Sequence, residues 1–109
     1  MLLPSNELLS VVLGVNASVD GLTKEDTILV YKKKGIGILR TINIYELQHK
    51  MKEWAYKNSV YYIESYINSC GSYAMVYKNY SEEPYFNCIE DTEFEALVMA
   101  SEFILKEIA

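Results

Sequence analysis

The stretch that most constrains this chain is its end, Asp91 to Ala109. Thr92 and Glu95 stand at the spacing of a capping box, in which a hydroxyl and a carboxylate satisfy amides that the first turn of a helix leaves open. Advancing about 100° per residue from Phe94 places Leu97, Val98, Ala100, Ser101, Ile104, Leu105 and Ile108 within an arc of about 160°. So wide an apolar face predicts a long helix laid against a sheet. Glu95, Glu102 and Lys106 fall on the solvent side, but Ala96, Met99 and Phe103 lie roughly opposite the core stripe. This second stripe needs a cover, either within the chain (the first helix or the 15 to 26 loop) or on another protein. Exposed apolar patches on monomers are usually small, so the expectation is cover within the fold.

The elements before it are read in order. Ser5 or Asn6 caps a short helix carrying Leu8, Leu9, Val12 and Leu13, which Gly14 stops. Val15 to Asp26 is rich in turn formers and reads as a loop. Thr27 to Tyr31 and Ile36 to Ile42 form a hairpin about the polar turn Lys32 to Gly35. Asn43 with Glu46 opens a second long helix, Ile44 to Asn58. Ile44, Leu47, Met51, Trp54 and Ala55 share one of its faces, and Glu46, Lys50, Glu53 and Lys57 line another. Val60 to Asn68, Tyr73 to Tyr80 and Tyr85 to Ile89 are three further strands. The predicted class is α+β in the order α-β-β-α-β-β-β-α, one domain over 1–109. It has a mostly antiparallel sheet of about five strands, two long amphipathic helices and a short N-terminal one. Large residues on both faces of the strands, Tyr62 and Tyr66 on one and Ile63 and Ile67 on the other, point to a helix/sheet/helix sandwich, with both helices on one face as the alternative.

No run of residues is apolar enough for a membrane span, and the opening residues lack the basic start of a secretory signal. The expected location is the cytoplasm of the host cell, with Cys70 and Cys88 as reduced thiols. A net charge of −5 disfavours unspecific nucleic-acid binding. The charge is uneven, however: Tyr31 to Lys57 holds seven basic residues against two acids, and Ser81 to the end holds eight acids against Lys106.

The segment Ile42-Asn43-Ile44-Tyr45-Glu46-Leu47-Gln48-His49-Lys50-Met51-Lys52-Glu53-Trp54-Ala55 and the segment Asp91-Thr92-Glu93-Phe94-Glu95-Ala96-Leu97, continuing to Ile104-Leu105-Lys106, resemble small bacteriophage and prophage proteins. These are grouped as a phage α-β-α sandwich domain. Asn6-Glu7-Leu8-Leu9 fits the same group, so the resemblance spans most of the chain. Its motifs are caps and core stripes, which are structural. The relatives often carry cysteine where this chain has Met51 and Ser101, and tryptophan at Phe103, so thiol chemistry at those positions is not implied here. The resemblance implies a viral or mobile-element origin and a layered fold, and it supplies no catalytic residue.

The candidate sites follow. His49 is the only histidine and lies on the helix wheel with Tyr45, Lys52 and Tyr56. No orienting carboxylate or nucleophile is patterned around it, so a surface histidine is the plainer reading. Lys32, Lys33, Lys34 and Arg40 form a candidate basic patch. The run lacks the end of a phosphate loop and leads into a strand, as a solvated hairpin tip would. Glu82, Glu83, Glu90, Asp91, Glu93 and Glu95 make an acidic strip that could mimic nucleic acid, though carboxylates are favoured at a helix start in any case. Tyrosines 61, 62, 66, 73, 77, 80 and 85 fit strands, and tyrosine is also a good interface residue.

The expected function is that of a phage-type accessory protein, not an enzyme, without cofactor or metal. It would bind a host protein and inhibit a host function such as antiviral, CRISPR-type defence. The candidate partner-binding residues are Met99, Phe103, Tyr45, His49, Tyr56, Glu82, Glu83, Asp91 and Glu93. The alternative is a nucleic-acid-associated protein or an acidic DNA mimic. A second copy of the chain is a further candidate partner.

Overall fold

A computed structural model describes all residues, Met1 to Ala109. All three helices begin at side-chain caps. Ser5 Oγ accepts from the Leu8 amide and Asn43 Oδ1 from the Tyr45 amide. Thr92 Oγ1 accepts from the Glu95 amide at 3.2 Å and donates to Glu95 Oε1 at 3.0 Å, so the Thr92 half of the capping box forms, while the Glu95 carboxylate takes the Thr92 hydroxyl and the Leu2 amide in place of the Thr92 amide. The helices are α1 (Asn6–Leu13), α2 (Ile44–Asn58) and α3 (Glu93–Ile108). Gly14 closes α1 with a φ of 71°, a left-handed conformation that costs glycine little.

The sheet differs from expectation. The chain runs α-β-β-β-α-β-β-β-α, with six strands in two separate three-stranded antiparallel sheets. The first holds β1 (Ala17–Thr23), β2 (Ile28–Lys33) and β3 (Leu39–Asn43). The second holds β4 (Tyr61–Asn68), β5 (Gly71–Lys78) and β6 (Pro84–Glu90). The strand missed from sequence is β1, inside the stretch read as a loop. A bulge between Val19 and Gly21 shifts its register against β2 and breaks the alternation a strand would show. The turn that joins the two hides the hairpin as well. Lys24, Glu25 and Asp26 all take left-handed conformations, at φ 48°, 59° and 64°, where glycine or asparagine would be the usual signal. Such a conformation costs a residue with a side chain roughly 1–2 kcal/mol.

The helix/sheet/helix sandwich is also overturned. Packed elements sit roughly 10 Å apart, so three layers need roughly 20 Å between their outer mid-planes. The shortest dimension here is 17 Å. Helix α3 lies across β4, β5 and β6, α2 packs beside α3 and against β4, and α1 packs on β1 while reaching α2 and α3. The inner side chains of the second sheet, Ile63, Ala74 and Val76, are buried against this helical side. The outer side chains have no element over them. Large residues on both faces of β4 were therefore poor evidence of two covers.

One contiguous cluster of 20 buried apolar residues holds the fold together and draws on every helix and both sheets. Leu8 and Leu9 come from α1, Leu29 and Ile42 from the first sheet, Leu47, Met51 and Trp54 from α2, and Phe94, Leu97, Val98 and Ile104 from α3. Burying an apolar side chain of this size stabilises by about 1.5–3 kcal/mol, so the core dominates the energetics. The second stripe of α3 faces the sheet. Phe103 stacks on Phe86 with ring centroids 4.6 Å apart and meets Tyr61 edge-on at 6.3 Å. Ala96 is fully buried, and its carbonyl accepts from the Cys88 thiol at 3.5 Å. Met99 stays 37% exposed. For Ala96 and Phe103 the cover is thus the second sheet, not α1 or the segment before β2, while Met99 lies beside the N-terminal segment. Glu95 and Glu102, expected toward solvent, tie down the N-terminal segment: Glu95 accepts from the Leu2 amide and Glu102 from Ser5 N and Oγ.

Candidate protein-binding surface

Alternation along β4, β5 and β6 sends Tyr62, Glu64 and Tyr66, then Tyr73, Met75 and Tyr77, then Asn87 and Ile89, to the outer face. The register places Tyr62 opposite Tyr77, Glu64 opposite Met75 and Tyr66 opposite Tyr73. The rings follow the register. Tyr62 stacks on Tyr77 with centroids 5.4 Å apart, and Tyr66 on Tyr73 at 5.0 Å. Tyr77 also donates from its hydroxyl to Met75 Sδ at 3.3 Å. The face is open: Tyr66 is 43% and Ile89 45% exposed. Its one charged group, Glu64, stands between the two tyrosine pairs. Tyr61 and Tyr85 are different: they meet edge-on at 5.8 Å, and Tyr61 is buried against the helix side.

A second feature lies at one end of the helices. Gln48, in the first turns of α2, donates from Nε2 to Glu93 Oε1 at 2.9 Å, which draws the starts of α2 and α3 together. Ser65 of β4 donates to Glu93 Oε2, also at 2.9 Å, so both oxygens of that carboxylate are held. Beside this link is a cavity of about 470 Å³ lined by Glu25, Asp26, Tyr45, Ile67, Ser72, Asp91 and Glu93 among others.

The residues singled out from sequence are dispersed over the molecule. Tyr45, Asp91 and Glu93 meet at the cavity. His49 and Tyr56 line a shallow groove of about 590 Å³ between α2 and β4, together with Lys52, Lys57 and Tyr62. The His49 side chain is 77% exposed and its Nε2 lies 3.8 Å from Glu53 Oε2, an arrangement of a solvated helix face. Met99 borders a groove of about 390 Å³ where α3 meets the N-terminal segment, while Phe103 is turned into the sheet. Glu82 and Glu83 sit in the connection from β5 to β6, separated from Asp91 and Glu93 by the length of β6, roughly 20 Å. The acidic strip is therefore two patches. Lys32, Lys33, Lys34 and Arg40 cluster at the β2–β3 connection, at the opposite end of β2 from the cavity.

Sequence reasoning missed Glu25, Asp26, Ile67 and Ser72, which reach the cavity from segments far apart in the chain. No group of three or more histidine, cysteine, aspartate or glutamate side chains is arranged to hold a metal ion. No helix is long and apolar enough to cross a membrane. Both cysteines are free, Cys70 exposed and Cys88 half-buried. Burial raises the Cys88 thiol above its usual range; a backbone hydrogen bond from Ala74 opposes this and the nearby Glu90 charge adds to it.

Comparison with protein-family models, with curated proteins and with solved structures finds no match in any of the three.

Proposed function

We propose that the protein acts without catalysis, by binding another protein through the outer face of β4, β5 and β6. The observation that supports this reading is the pair of tyrosine stacks on a sheet face that no element of the chain covers. Tyrosine offers large contact area at low cost in side-chain entropy, and it is enriched among residues that dominate binding energy. The charge on the face bears on the partner. Its only ionised group is Glu64, which repels a phosphate backbone and favours a protein with a basic group at that point. The alternative nucleic-acid reading rests on the groove of His49, Lys52, Tyr56 and Lys57, where Glu53 offsets part of the positive charge.

In this proposal the protein is a phage-type accessory factor whose partner is a host protein, and binding inhibits a host function such as a CRISPR-type defence. The origin is drawn from the sequence resemblance, and the manner of action from the tyrosine face. The test compares the wild type with a Tyr66→Ser/Tyr73→Ser variant as tagged baits in lysates of candidate hosts. Both positions are on the surface, so the variant should keep the wild-type circular dichroism spectrum. The expected result is one reproducible partner retained by the wild type and lost by the variant. Equal retention by both would remove the tyrosine face from the proposal.

A further inference from the structure

The cavity at the starts of α2 and α3 is walled by four carboxylates, and no lysine, arginine or histidine lines it. The helix start accounts for two of them, since Asp91 and Glu93 gain from the dipole and free amides there. It does not account for Glu25 and Asp26, which the β1–β2 turn brings from the other sheet. Against these four carboxylates the amino terminus of Met1 is the one cationic group in the lining, so the cavity keeps an excess of negative charge and is complementary to a further cation.

A further observation points to a ligand. Ser72 is only 4% exposed and sits on the helix side of β5 in the cavity wall. Its hydroxyl makes no side-chain hydrogen bond within the chain, and it is not among the atoms sealed from solvent, so it stays free toward the cavity that Ser72 lines. In the same wall the Glu93 carboxylate is held by Gln48 and Ser65, and each of its oxygens keeps a lone pair free for a further donor. The site thus presents an excess of carboxylate acceptors, of which Glu93 is held in place from both sides. At its mouth stand Tyr45 and Ile67, both largely exposed, which offer a ring and an aliphatic surface to the stem of an incoming side chain.

We infer that this cavity receives an arginine side chain of a protein partner. This adds a second contact site to the tyrosine face and rests on the protein-binding reading. The guanidinium has five donors in a planar fork, which matches several carboxylates and a hydroxyl at once and also stacks on a tyrosine ring. A bare metal ion would want three or more ligands converging on one point, and the carboxylates are not so arranged.

The test titrates the labelled protein with a capped pentapeptide, Gly-Gly-Arg-Gly-Gly, and with its neutral citrulline counterpart, following backbone amide shifts. The expected result is saturable shifts confined to residues 25–27, 45–48, 72 and 91–93, seen with arginine and absent with citrulline. Asp26→Asn/Asp91→Asn should weaken binding by at least about tenfold while leaving the remaining spectrum unchanged. Asparagine tolerates the left-handed conformation at position 26, so the variant should fold. Ser72→Ala should weaken binding less. Shifts that are scattered, equal with citrulline, or unaltered in the double variant would overturn the inference. Tighter binding of spermidine than of the peptide at the same residues would also overturn it, by assigning the cavity to a free polyamine. If the peptide fails while partner capture still depends on Tyr66 and Tyr73, only the cavity assignment falls. If capture ignores those tyrosines while the peptide binds, the tyrosine face falls and the cavity assignment stands.

Discussion

Burial keeps the Cys88 thiol protonated, while Cys70 stands in the open turn between β4 and β5. The thiolate is the reactive form, so a raised pKa lowers reactivity at neutral pH in addition to the shielding by the helix side. Iodoacetamide followed by intact mass should show one prompt addition, mapping to Cys70, and a slow second one at Cys88 that quickens as pH rises. The same shift carries a stability term. The unfolded chain releases this proton at lower pH than the folded one, so the contribution is complete below the ordinary thiol range and is lost as pH climbs toward the raised value. Two prompt additions at neutral pH would show that Cys88 is not enclosed between β6 and α3.

At the scale of elements, the helices were legible because caps are local. Ser5, Asn43 and Thr92 each announce a helix within three residues, and Gly14 announces an end. The strand β1 was not legible, because its bulge spoils the period and its turn uses Lys24, Glu25 and Asp26 in place of the residues that usually mark a hairpin. The second stripe of α3 was legible as apolar, but its cover was not, since Phe86 lies on a strand whose face is known only once β5 and β6 are paired. Replacement of Phe103 by alanine tests that contact. A fully buried phenylalanine costs 3–5 kcal/mol on truncation, and the half-buried Phe103 should cost about 2 kcal/mol in urea unfolding. A loss under about 0.5 kcal/mol, the range of ordinary surface changes, would contradict the packing of α3 on the sheet through this stripe.

At the scale of the molecule, one layer of helices serves the inner face of the second sheet and leaves its outer face without cover. Tyrosine at alternate positions of β4 and β5 was visible as strand patterning, but which face would stay open was decided by where α3 packs. The cavity was less visible still. It joins Glu25 and Asp26 to Gln48, Ser72 and Glu93, which no spacing in the chain connects. We propose that a protein partner lies on the tyrosine face, and photo-cross-linking is the direct test. The tyrosine analogue benzoylphenylalanine would replace Tyr66 in one version of the protein and the fully exposed Tyr80, in the β5–β6 connection, in another. With the captured partner present, irradiation is expected to give a covalent adduct from position 66 and none from position 80. An adduct from position 80 alone, with the partner still bound, would contradict the assignment of the binding face.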